Sequence, residues 1–284
     1  MPDASLDGYA EDGESKSMAD VVPVVNAQAM AESLARRQRW ATIIAVHVAA
    51  VVLWEVVVRA AKVPAFVLPP PSAIVATLTK ANYAWTSNTL VTAAEIFGGY
   101  LLAVAVGVVS ALVLSWSKRL MLLLFPLLVT LNMIPKIALG PLIIVWFSYG
   151  IGPNVLITFS LCFFPILLTA ARGLREVDPD LLDLVRSLKG SRWQLFRFIQ
   201  FPGALPYLFS GMKVAAILAV AGAVVGEFIA SSRGLGYLMI QVQSALDTPA
   251  MFMAVILITA LGMALYLLVL GVEHACITRD ARMQ

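Results

Sequence analysis

Long apolar stretches, with polar residues gathered between them, set the pattern of this chain. Six runs, at roughly 40–60, 91–115, 119–149, 152–172, 204–230 and 250–273, approach or exceed the ~20 apolar residues that carry a helix across ~30 Å of hydrocarbon. Runs this continuous argue against a β-barrel, whose strands alternate in ten-residue segments. They predict an all-α polytopic membrane protein with about six transmembrane helices. The third run is longer than one straight span needs. It holds Pro126, Pro135, Gly140 and Pro141, so a kinked or broken helix is expected there. Between the first and second runs, prolines lead into SAIVATLTK, which reads as a short amphipathic helix. Residues 231–249 read as a glycine turn followed by a helix lying on the surface.

The largest polar interruption is DPDLLDLVRSLKGSRWQLFRFIQFPGALP, residues 178–206. Asp178 is placed to cap a helix that starts on Pro179, where a missing N–H costs nothing. Leu181, Leu184, Val185 and Leu188 form one apolar stripe at helical spacing. Gly190 is expected to end that helix. Ser191 with Gln194 makes a capping box that starts a second helix, and Pro202 is expected to stop it. Two capped helices carrying Trp193 and Phe196 need a surface to lie against, either lipid headgroups or a partner protein.

Composition sharpens this picture. The chain has 284 residues, 60% of them hydrophobic and 13% charged, far too apolar for a soluble domain. Placing the N-terminus inside puts thirteen cations on the cytoplasmic side: Arg36, Arg37, Arg39, Lys118, Arg119, Arg172, Arg175, Arg186, Lys189, Arg192, Arg197, Arg279 and Arg282. Outer loops then hold Arg59, Lys62, Lys80 and Arg233, so the positive-inside rule puts both termini in the cytoplasm. The first 35 residues carry seven acids and one base, Lys16. Residues 1–25 are expected to be a disordered acidic tail, unlike a signal peptide, and 26–38 a short lead-in helix. Cys162 and Cys276 show no metal-ligand spacing and read as small hydrophobes.

The 178–206 stretch resembles the EAA loop of membrane subunits of ATP-binding-cassette importers. That pattern runs EAA, three residues, Gly, nine residues, Ile-x-Leu-Pro. Asp183-Leu184-Val185 stands at EAA, and Lys189 falls at the glycine, with Gly190 one residue late. Ile199, Phe201 and Pro202 match the close. LPPPSAI, IPKIALGPLIIVWFSYGIGP and VVGEFIASSRGLGYLM resemble the nitrate/sulfonate/taurine/bicarbonate branch, over about residues 65–275. The resemblance implies a type I (MetI-like) importer permease fold over 39–275, flanked by the 1–38 segment and a 276–284 tail. A coupling loop at 176–203 would dock on the ATPase. It implies a bacterial inner membrane location, a second copy of the chain, two ATPase subunits and a periplasmic or lipid-anchored solute-binding protein, with no nucleic acid. Asp183, Arg186, Ser187 and Gly190 would face the ATPase, with Trp193, Phe196 and Pro202 beside them. No cofactor is expected on this chain. ATP would be bound by the partner, since no G-x-x-x-x-G-K-[ST] loop occurs here.

Ionisable residues in hydrocarbon are costly and so are candidates for function. Asn132 and Lys136, at i and i+4 in the broken third run, could meet an anion in the pathway or hold the broken helix ends. Lys213 and Glu227, some four turns apart on one span, are the other pathway candidates, Glu227 as a gate or in contact with the third span. Glu55 with Arg59 and His47 read as structural, His47 as an interhelical hydrogen-bonder. Small residues, including Gly99 and Ala103 in the second span and Gly222 and Gly226 in the fifth, allow close helix approach.

An ABC importer permease is the expected function, with a small anion such as a sulfonate, nitrate or carboxylate as solute, and no enzymatic activity of its own. The same importer carrying a pyrimidine, flavin or aromatic carboxylate is the alternative. A self-contained channel or ion-coupled carrier leaves the loop unexplained, and an intramembrane enzyme lacks the nucleophile–base or HExxH-like spacing it would need.

Overall fold

The computed structural model describes residues 18–176 and 179–277. They fold as helices and short connections. Residues Met1–Ala61 form one unit, in which α1 (Met18–Ala60) is a single helix. It starts eight residues earlier than the expected lead-in. The stretch from Met18 contains no glycine and is rich in alanine and valine, but it includes Pro23, and the helix continues through that proline. The stretch Arg37–Ala60 is long and apolar enough to span. Within α1, His47 Nδ1 meets the carbonyl of Ile43 at 2.7 Å, so its bond is to its own helix and not to a neighbour. Arg59 Nε bonds Glu55 as the i,i+4 spacing suggested.

The second unit, Lys62–Gln284, is a bundle built around α6 (Ile151–Gly173), packed on one side by α3 (Trp85–Trp116) and on the other by α9 (Phe201–Ala230). α11 (Thr248–Cys276) closes against α9. The third apolar run is broken, as Pro135 and Gly140 required. α4 (Lys118–Asn132) and the 3₁₀ turn at Lys136–Leu139 with α5 (Gly140–Phe147) meet at 79°. Four further helices of spanning length and this bent pair give the expected spans of this unit.

Glycines set how close the three central helices come. A Cβ on Gly226 of α9 would stand 2.8 Å from Asn154 Oδ1, and one on Gly99 of α3 would stand 2.9 Å from the Val155 carbonyl of α6. Ala103, Ala215, Ala219 and Ala223 are buried in the same seams. The small-residue stripes therefore serve packing within this chain. Outward faces of α3 and α11 carry Leu101, Val109, Leu267 and Leu268, the inverse of a soluble protein.

At one end of the bundle, α2 (Pro71–Ala76) and α10 (Leu235–Ser244) fold over the helix termini. Tyr83 donates to Asp247, and Thr248 Oγ1 donates to the Phe66 carbonyl at 2.7 Å. α10 follows the Gly234 turn and packs one face, Leu235, Leu238 and Val242, onto the bundle while Ile240, Gln241 and Ser244 stay exposed. At the opposite end stand α7 (Pro179–Ser187) and α8 (Arg192–Leu195), between the C-terminus of α6 and the N-terminus of α9.

Candidate coupling loop and translocation path

The 176–203 loop is built by local rules. α7 starts at Pro179, as expected; its proposed cap, Asp178, lies outside the described residues. The end of α7 differs in detail from the sequence reading. Lys189, not Gly190, takes the left-handed conformation, with φ of 53°. Leu188 N–H then bonds the Leu184 carbonyl at 3.0 Å, and Gly190 N–H bonds the Val185 carbonyl at 2.8 Å. This is a Schellman-type closure in which Gly190 is the residue after the left-handed one. Lys189 stands where the EAA pattern has glycine, so the bend survives with a side chain that strains it. Ser187 Oγ turns back onto the Asp183 carbonyl at 2.9 Å.

The capping box forms as read: Gln194 N–H to Ser191 Oγ at 3.2 Å, and Ser191 N–H to Gln194 Oε1 at 2.7 Å. Pro202, however, does not stop the second helix. α8 runs through one π turn, Phe196–Gln200, into α9, with the Phe201 N–H bonded to the Phe196 carbonyl. Proline has no N–H to give Phe198 in α-helical register, and the wider π turn absorbs that missing bond. The second half of the loop and the fifth span are thus one continuous helix, with α7 set off from it by the bend at Lys189.

Two faces of the loop differ. Trp193 stacks on Phe196 with ring centroids 5.6 Å apart. Phe196 packs into a buried cluster that includes Met121 of α4, Leu174 after α6 and Ala204 of α9. The other face is bare. Leu181, Leu184, Leu188 and Trp193 are exposed, Leu188 at 73%. Arg186 lies on α7, with its side chain outside the described set. Beside the loop, Arg172 and Arg175 rim an open cleft of about 530 Å³ floored by Met121 and Phe125. Arg172 Nε donates to Glu176 at 2.9 Å and holds that carboxyl below the usual carboxylate range.

The four pathway candidates separate into two pairs of roles. Asn132 and Lys136 sit at the break. Lys136 Nζ donates to the Asn132 carbonyl at 2.6 Å and to Asn132 Oδ1 at 2.8 Å, and lies 4.9 Å from the centre of the Phe164 ring. A cation on the final carbonyl of α4 answers the helix dipole there, and the Phe164 ring lies on its other side. Lys213 instead pairs with Glu273 of α11, Nζ to Oε1 2.9 Å and to Oε2 3.0 Å. Glu227 is buried and contacts α3, the second span, not the broken third: Thr92 Oγ1 donates to it at 2.5 Å, and Gly236 N–H of α10 donates to its other oxygen. Glu95 and Asn154, which share that buried region, escaped the sequence reading. Glu95 lies close to the expected start of its span, where an interfacial acid is ordinary.

Among the described residues, the bundle thus has one broken span, two short helices at one end and a folded cover at the other. Residues 103–275 match the family described as the binding-protein-dependent transport system inner membrane component, and the chain belongs to that family. It is 35% identical over 215 residues to a probable ABC transporter permease protein of Haemophilus influenzae, covering 75% of this chain and 87% of the relative. It is 32% identical to the formylaminopyrimidine transport permease of Halalkalibacterium halodurans (74% of this chain, 84% of the relative), and 28% identical to the putative aliphatic sulfonates transport permease of Bacillus subtilis (85% and 88%). In fold it is similar to a chain of the MetNI methionine ABC transporter in an inward-facing form, with a TM-score of 0.59 and 18% identity over 69% of this chain and 97% of that one. The protein is a multi-pass ABC importer permease of type I fold, in the nitrate/sulfonate/taurine branch.

Proposed function

We propose that two copies of this chain pair to line one solute path in the bacterial inner membrane, with both termini cytoplasmic, and that each copy docks its 176–203 loop on an ATPase subunit. The observation that carries the reading is the loop's bare apolar face, Leu181, Leu184, Leu188 and Trp193, held out by two capped helices whose other face is anchored in the bundle through Phe196. Exposed apolar stripes of this kind need a partner surface. ATP binding and hydrolysis belong to that partner, and a solute-binding protein delivers cargo at the α2–α10 end.

Asn132 and Lys136 form the solute-facing part of the path, whereas Lys213 and Glu227 hold helices together. The solute we favour is a small organic anion such as a sulfonate or carboxylate, supported by the Lys136 ammonium at the break and by the sulfonate permease relative. The second reading is a pyrimidine, favoured by the Phe164 ring beside Lys136 and by the formylaminopyrimidine relative. Reconstitution of this chain with its ATPase and binding protein in proteoliposomes tests both. ATP-dependent uptake of an anion that falls at least tenfold in Lys136→Met supports the first solute. Uptake of a neutral pyrimidine, little changed by the same substitution, supports the second. Uptake without any ATPase present would sink the importer assignment for this chain's mechanism.

A further inference from the structure

Glu95 of α3 and Glu227 of α9 are 0% and 1% exposed and share one buried region: Asn154, which bonds Glu95, faces Gly226 beside Glu227, and Thr92, one turn before Glu95, bonds Glu227 itself. Their surroundings are unequal. Glu227 accepts from Thr92 Oγ1 and from the Gly236 N–H of α10. It therefore stands where a negative charge is best received, at the N-terminus of a ten-residue helix. Gly234 and Gly236 make the space: a Cβ on Gly236 would stand 2.8 Å from Glu227 Oε2. Glu95 accepts one bond, from Asn154 Nδ2 at 2.8 Å to Oε1, and its Oε2 has no donor.

Among the described residues, no lysine or arginine bonds either carboxyl. On α6 the facing residues are Asn154 and Thr158; α10 contributes the Gly236 N–H, and α5 brings no titratable side chain. Arg233, the nearest cation in sequence, is exposed on the turn before α10, and Lys136 is engaged at Asn132. Two ionised carboxylates side by side in a dry interior repel each other strongly.

We infer that this cluster is a proton-binding site: Glu95 is the neutral acid, donating through Oε2 to an ionised Glu227 that caps α10. The proton fills the orphaned position on Glu95 and ties α3 to α9 and α10. When Glu95 loses its proton to water, a second negative charge appears in the seam, and the cover formed by α10 loosens from α3. The outer end of this permease is therefore held shut by a bound proton and released by alkali.

Infrared spectroscopy of the full-length chain in lipid nanodiscs, with glutamate carboxyls carbon-13 labelled, reads the proton directly. A labelled protonated-acid carbonyl band at neutral pH, lost in Glu95→Gln, retained in Glu227→Gln and lost from the wild type as pH is raised, is the expected result. Melting of the same samples gives a second readout: wild type loses thermal stability toward alkaline pH, and Glu95→Gln does not. Absence of the band in wild type at neutral pH overturns the proposal, even where a variant fails to fold. A melting temperature that rises with added sodium or potassium in band-free wild type would show a bound metal cation in the proton's place, and also overturns it. A band that persists in Glu95→Gln, or a variant that melts in parallel with wild type, does the same.

Discussion

Lys189 shows how a single residue can depart from a family pattern and keep its geometry. Its φ of 53° is the conformation glycine adopts freely and a β-carbon resists, at a cost on the order of 1 kcal/mol. Lys189→Gly should therefore stabilise the end of α7 by about 1 kcal/mol, seen as slower hydrogen exchange at the amides of Leu188 and Gly190. Unchanged exchange would mean the bend is set by something other than this residue. Local rules of this kind were legible in the sequence: Pro179 at the helix start and the Ser191–Gln194 box need only neighbours within four positions. Pro202 was misread because a π turn repairs its missing N–H, and nothing in the local pattern announces a π turn. Glu95 went unseen for a different reason, since its partner Asn154 and its buried neighbour Glu227 come from two other spans and meet it only after the bundle folds.

Helices in this protein approach through glycine and are pinned by sparse polar pairs. Gly226→Val would drive a side chain into Asn154, and overpacking of this kind costs about 1–3 kcal/mol. The expected outcome is a lowered melting temperature in detergent, with Gly203→Ala, which meets open space, as the silent control. The Lys213–Glu273 pair joins α9 to α11 and is only partly exposed. Removing Lys213 alone leaves an uncompensated carboxylate, and Lys213→Met should cost up to about 3 kcal/mol. Lys213→Met combined with Glu273→Leu should recover most of that loss, measured by thermal unfolding of the four-member cycle. A double variant as unstable as the sum of the singles would show the two do not act as a pair. The six apolar runs made the spans legible, because the length needed to cross hydrocarbon is a property of the sequence alone. Which span touches which was not, because periodicity gives a helix its buried face without naming the helix that covers it.

At the scale of the whole molecule, α8, the π turn and α9 run as one helix, so the second half of the loop is joined directly to the fifth span. Phe196 anchors that join, packed among α4, α6 and α9. Phe196→Ala should leave the ATPase bound while separating ATP hydrolysis from uptake, because the bare face is intact and the anchor is gone. Leu184→Asp should act the other way and abolish ATPase association, because it places a charge on the docking face. Proteoliposomes assayed for both hydrolysis and uptake, with co-purification of the ATPase, distinguish the two. Equal loss of binding in both variants would remove the division of the loop into an anchored and a docking face.

The most direct measurement is site-specific photo-crosslinking from Leu184 and Leu188 in native membranes, with Leu101 on the outward face of α3 as reference. The expected result is a covalent adduct between the loop positions and a nucleotide-binding ATPase subunit, with Leu101 yielding none to that subunit. Loop positions that label only lipid, or nothing, while the importer remains active, would contradict the account of how this permease is driven.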